Sequence, residues 1–309
     1  MCARQSPVQN CGWHRPASMR GGMSLLELLV VIGICALLIG LVVPAIQRVR
    51  AASDCLQCKN RLRSLGLACA AYHDAAGHIP CGCSFSGKSE PQPHMSWLAR
   101  ALPWLEEQPM WSQICEAFQA QSFFETPPHY PYLGRVISHF LCPSDDLSAQ
   151  QWPIGAFTVA FTDFVGVEGT DLDAVNGVLY LNSRVRWSDV TDGLSNTLLA
   201  GERPPSADRN LGWWYAGWGQ LQTGSAEMVL GVREIVIDPK YRNCDRGPYS
   251  FRVGNARDVC DAFHFWSFHP GGANFVFCDG SVRFLSYGAD PVMPALATRS
   301  GGESLTLPD

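Results

Sequence analysis

The sequence predicts an α+β chain: a long N-terminal helix, its first half membrane-spanning, packed on an antiparallel β-sheet head with long loops. Three observations predict this class. A polar leader precedes an uncharged apolar run from Leu28 to Ile46. Beyond that run Cys58, Leu62, Leu65, Cys69 and Tyr72 recur at steps of four and three, an amphipathic stripe. From residue 79 onward, short strand-like runs alternate with Pro/Gly loops. The chain therefore divides into a leader (1–22), a long helix (23–78, in the membrane to about residue 47) and a globular domain (79–309).

Composition supports a real core. The 309 residues are 47% hydrophobic and 17% charged, which excludes a disordered chain. The net charge is −5 with no basic block, so nucleic-acid binding has no electrostatic support.

The leader carries Arg4, Arg15 and Arg20 and no acid. The apolar run that follows spans about 28 Å as a helix, enough for a bilayer core. A conventional signal peptide is cut after its apolar segment. Here the small pair Gly21-Gly22 precedes it, so cutting there leaves the segment on the mature chain. Glu27 is the one charge between Arg20 and Arg48. An isolated carboxylate in hydrocarbon costs roughly a few kcal/mol, which calls for a partner or a function.

The run Gly22-Met23-Ser24-Leu25-Leu26-Glu27-Leu28-Leu29-Val30-Val31 resembles the type IV prepilin cleavage motif: a glycine, a cut, and glutamate at the fifth mature position. Methionine stands where phenylalanine is usual. The resemblance implies cleavage after Gly22 by a prepilin peptidase, N-methylation of Met23, and an assembly role for Glu27. That carboxylate would neutralise its own α-amine or that of a neighbouring subunit. Arg48, Arg50, Lys59, Arg61 and Arg63 outnumber the leader's three arginines, and a positive-inside count would reverse the topology. The cleavage motif, which requires a cytoplasmic leader, decides instead for a single pass of the inner (cytoplasmic) membrane with the globular domain outside. Removing the leader takes the net charge from −5 to −8.

Motifs along the rest of the chain resemble the DUF1559 family, also labelled solute-binding-like. They run from Cys58-Lys59-Asn60-Arg61-Leu62 through Leu141-Cys142-Pro143-Ser144-Asp145 and Thr191–Glu202, which contains Ser195-Asn196, to Ser267–Asn274 and Asp279–Phe284. His269, nine residues and then Asp279-Gly280 form the most distinctive pattern, with Gly271 and Gly272 inside it. The resemblance implies architecture better than chemistry. It also implies that Cys58 and Cys142, each within a family motif, pair and tie the long helix to the head.

The terminal motif reads first as a hairpin: strands Asn274–Cys278 and Ser281–Leu285 around a two-residue Asp279-Gly280 turn of type I′. The functional reading has His269, Asp279 and Glu202 converging on a metal or ligand. Calcium requires several oxygen ligands, and a histidine is a poor start, so no metal and no cofactor are assigned. Ser195 lacks the Gly-x-Ser-x-Gly elbow and sits beside a turn, which argues against a hydrolase and, with no ligand-spaced histidines, against an enzyme. Trp213, Trp214 and Trp218 form the densest aromatic patch, core by default and otherwise a stacking platform for a carbohydrate or peptide.

Of thirteen cysteines, ten lie beyond the leader and the apolar run, an even number consistent with disulfides in an exported domain. Cys55-x-x-Cys58 is half a zinc pattern without a second such pair. The reading is a non-enzymatic, pilin-like membrane protein assembling through its N-terminal helix, with like subunits or other pilins, into a pilus or a type II secretion pseudopilus. The alternative is a cell-envelope module that binds an unknown small ligand and uses the prepilin segment only as an anchor.

Overall fold

A computed structural model describes residues 24–85 and 92–303. The predicted cleavage site, Gly22 and Met23, lies outside them. The chain forms two compact units, Met1–Val49 and Arg50–Asp309. A single helix, α1 (Leu25–Ala76), contributes to both.

Within the first unit the large apolar side chains of α1 are exposed from Leu25 through Ile46. An 18-residue window there has a mean hydropathy of 3.0, so this helix is long and apolar enough to cross a membrane. Ser24 and Glu27 cap the start of the helix from both sides. Ser24 Oγ accepts from Leu26 N (3.2 Å), and Glu27 Oε2 accepts from Ser24 N (2.9 Å).

The second unit starts at Arg50, so the predicted stripe belongs to its core. Cys58, Leu62, Leu65 and Cys69 are buried, and α1 ends at Ala76 with Gly77 left-handed (φ 78°). Short helices α2 (Trp97–Ala101) and α3 (Gln108–Ala120), and then α4 (Tyr130–Leu133), follow. Sequence reading finds little helical pattern in this region. The spacing of Met110, Ile114, Ala117 and Phe118, all buried in α3, is nevertheless helical.

Strands β1 (Trp152–Ile154) and β2 (Phe157–Val159) form a small hairpin. The main sheet holds β3 (Phe164–Gly169), β4 (Leu198–Glu202), β5 (Val229–Gly231), β6 (Gly272–Phe277) and β7 (Val282–Ser286), in the order β5-β3-β4-β6-β7. All pairs are antiparallel except β3–β5. Helix α5 (Met293–Ala297) closes the described chain.

The sheet separates two cores, as the two-residue side-chain period requires. Val276 faces the cluster that includes Cys58, Leu62 and Leu65; Phe275 and Phe277 face the one that includes Met293 and Leu296. Helix α1 lies close to β6 because residue 66 is glycine: a Cβ there would stand 2.8 Å from Val276 Cγ2.

The expected two-residue turn is replaced. Val276 pairs with Val282, and Phe277 N donates to Ser281 O (2.9 Å), leaving a three-residue loop over 278–280, in which only Gly280 is left-handed (φ 79°). A type I′ turn needs positive φ at both central residues, and Asp279 does not supply it. Asp279 Oδ1 instead accepts from Ser281 N (2.8 Å). Gly177–Tyr180 has a strand-like sequence but is irregular chain hydrogen-bonded along β3, and in the strand-like run 229–237 only Val229–Gly231 is strand.

Candidate functional site: a buried cysteine–histidine–glutamate cluster

Four parts of the chain meet beside the first residues of β6. Helix α1 brings Cys58, the loop before β1 brings Cys142, the last residue of β4 is Glu202, and His269 comes from the turn that enters β6. All four are buried, and their donor atoms lie within 4.8 Å of one another. Cys58 and Cys142 are joined by a disulfide with Cα atoms 5.5 Å apart. His269 Nε2 stands 3.1 Å from Glu202 Oε1 and 3.4 Å from Cys142 Sγ.

Each member is held in place by its neighbours. Ser267 Oγ donates to Gly272 O (2.7 Å) and accepts from His269 N (3.0 Å), closing the turn. Gly271 is left-handed there (φ 84°), and a Cβ on Gly272 would collide with the Leu285 carbonyl. These contacts account for Ser267-x-His-x-Gly-Gly as backbone chemistry that aims one imidazole inward. Glu202 Oε2 accepts from Asn274 N (2.6 Å) and Nδ2 (3.1 Å), which leaves Oε1 facing the histidine.

The Cys142 loop is clamped from two sides. Arg61 Nη1 donates to Leu141 O (2.6 Å), and Asp163 accepts from both Cys142 N and Ser148 Oγ. Burial, reinforced by the nearby Asp145 charge, raises the Asp163 carboxyl well above the usual range.

The cluster is not built as a nucleophilic triad. In a triad the acid holds the ring nitrogen opposite the nucleophile. Here sulfur and carboxylate both face Nε2, so the groups converge on one point instead of forming a relay.

The remaining predicted residues go elsewhere. Asp279 does not join His269 and Glu202: it is exposed, and β6 runs between it and His269. It belongs to the hairpin end, where its N–H donates to Leu194 O (3.1 Å). Ser195 and Asn196 are exposed in a neighbouring turn. Ser195 O accepts from Arg283, and Asn196 Nδ2 donates to Asp192 O. Trp214 is corrected as a platform residue: it is fully buried, with Nε1 donating to Arg135 O (2.7 Å), so its ring faces no ligand. Trp213 and the half-buried Trp218 do line a cleft of about 240 Å³ with Glu125, Glu227, Lys240 and Tyr241.

Asn274 and Asp163 were not singled out from sequence. Asn274 closes the Ser267–Asn274 motif and was visible there; Asp163 carried no local signal. A second disulfide, Cys244–Cys260, was likewise not legible. Cys278 lies beside Cys69, both buried, and burial holds the Cys69 thiol up at about 12.

A family model described as a protein of unknown function (DUF1559) matches residues 47–292, and the chain belongs to that family. No curated protein and no solved structure matches it.

Proposed function

We propose that this chain is a pilin-like membrane subunit. It is cut after Gly22 and N-methylated at Met23 by a prepilin peptidase, and it assembles through the first half of α1. The observation that carries the reading is the exposed apolar surface of α1 from Leu25 to Ile46, broken by one acid, Glu27. Such a surface needs lipid or like helices to cover it. In the uncut chain the Glu27 carboxylate caps its own helix through Ser24 N. Cleavage would place a charged α-amine one turn away, and Glu27 would then have a cation to pair with, in its own subunit or in the next.

The membrane in this reading is the cytoplasmic one, with the Arg50–Asp309 unit outside it. N-terminal peptide mass spectrometry on protein from native membranes tests processing, with N-methylated Met23 as the expected first residue. Glu27→Leu should be processed and folded yet fail to enter filaments. A chain that retains residues 1–22, or one cut beyond the apolar run, sinks the reading. The second reading, an anchored binding module, is favoured by the cleft between Trp213 and Trp218.

A further inference from the structure

We propose that the dithiol form of this chain binds one zinc-class divalent cation through Cys58 Sγ, Cys142 Sγ, His269 Nε2 and Glu202 Oε1, and that the Cys58–Cys142 disulfide and the ion exclude each other.

The donor set is the first argument. Two thiolates, an imidazole and a carboxylate suit zinc and its borderline-soft neighbours, and not calcium or magnesium, which take oxygen ligands. Of the Cys55-x-x-Cys58 pair only Cys58 joins the cluster; the fold supplies the other donors, Cys142 lying 84 residues from Cys58 and His269 67 residues from Glu202 in sequence.

Geometry is the second argument. Donors at about 2.0–2.3 Å from a tetrahedral ion lie about 3.3–3.8 Å from each other. The two edges made by His269 Nε2, 3.1 Å to Glu202 and 3.4 Å to Cys142, are close to that spacing. With Cα atoms 5.5 Å apart, the sulfurs reach about 3.8 Å by side-chain rotation alone.

The surroundings are the third. Asn274 fixes the outer oxygen of Glu202, as outer-shell partners of metal ligands do. Arg61 and Asp163 fix the loop that carries Cys142. His269 also lines a cleft of about 470 Å³ with Arg257, Trp266, Phe268 and Tyr287, which provides an entry path.

The chemistry balances. The chain is synthesised with both cysteines as thiols. Binding the ion forms two metal–sulfur bonds and releases two protons. Forming the disulfide removes two electrons and two protons, taken up by a disulfide of the exporting compartment through thiol exchange. Neither state can hold the other's sulfur bonds, so oxidation would expel the ion and leave the cross-link between α1 and the Cys142 loop.

The test uses the full chain in detergent. A trialkylphosphine with water converts the disulfide to two thiols and becomes the phosphine oxide. After its removal, Co²⁺ is added without oxygen. The expected result is uptake of one equivalent with thiolate-to-cobalt charge-transfer bands and the intense visible bands of a tetrahedral ion, displaced by Zn²⁺. The unreduced protein should show none. Cys142→Ser and His269→Ala should each weaken binding at least about tenfold, as loss of even outer-shell partners does. Cys69→Ser and Cys244→Ser should leave it unchanged. Glu202→Gln, which keeps the side-chain shape, gives the same weakening without depending on a variant that fails to fold; near-UV circular dichroism checks each one. Absence of thiolate–cobalt bands in the reduced wild type overturns the proposal. So do bands undiminished in the Cys58→Ser, Cys142→Ser double variant.

Discussion

Asn274 holds Glu202 twice, by its backbone N–H and by its side-chain amide, both on Oε2. Two neighbouring strands are thus tied through a buried carboxylate whose other oxygen faces His269. A hydrogen bond to a charged group contributes about 1.5–3 kcal/mol, and a buried acceptor left short of a donor costs a comparable amount. Asn274→Ala keeps the backbone bond and loses the amide. The expected destabilisation is about 1–3 kcal/mol, read from the urea midpoint with the m-value unchanged. An effect within a few tenths would mean that the backbone N–H alone satisfies Glu202.

Glu227 gives the fold a pH dependence of definite sign. Burial pushes its carboxyl up to about 8, against the opposing pull of Trp213 N–H and of the Arg203 guanidinium. Unfolded, the same group ionises near its ordinary 4.5. Between those values the folded state binds the proton and the unfolded state does not. Stability therefore falls as pH rises from about 4.5 to about 8, by an amount on the order of a few kcal/mol. Glu168 and Glu234, buried against each other, are raised too and act in the same direction. Asp208 and Asp261 are depressed, so their contribution is lost only in acid below that window. The urea midpoint should drop between pH 5 and pH 8, and Glu227→Gln should flatten the drop and equal or exceed wild type at pH 8. A variant less stable at pH 8 would show that Glu227 is ionised in the fold and paired with Arg203.

What the sequence made legible follows the range of each signal. The α1 stripe was readable because Cys58, Leu62, Leu65 and Cys69 repeat with the helical period, and burial of the face leaves little alternative. The β6 and β7 strands were readable from their aromatic and branched residues. The turn between them was not: an Asp-Gly pair is compatible with two loop lengths, and register settled by Val276 and Val282 selects the longer one. The same register explains the misplaced Asp279, which a strand separates from His269. Glu202 and His269 stood out as motif members, but their meeting with Cys58 and Cys142 is a product of tertiary packing, without a local pattern. The second unit begins at Arg50 for the same reason: the last part of α1 is core, and a fragment starting at residue 79 would lack it.

The aromatic patch divides into a structural half and an accessible half, and the two separate experimentally. Trp214 has no exposed surface, packs on Phe140 and Tyr215, and donates from its indole to Arg135 O. Removing it leaves a cavity and an orphaned carbonyl, so Trp214→Ala should cost about 3–5 kcal/mol. Trp218 is half-buried at the rim of the cleft, with Nε1 donating to Glu125 Oε1 (3.1 Å). Its loss removes less buried area, and Trp218→Ala should cost clearly less than Trp214→Ala in the same denaturation experiment. A glycan or peptide that stacks in the cleft should therefore lose its binding in Trp218→Ala while the protein remains folded. Loss of binding in Trp214→Ala alone, with Trp218→Ala binding as wild type does, would trace the effect to unfolding and remove the cleft as a ligand site.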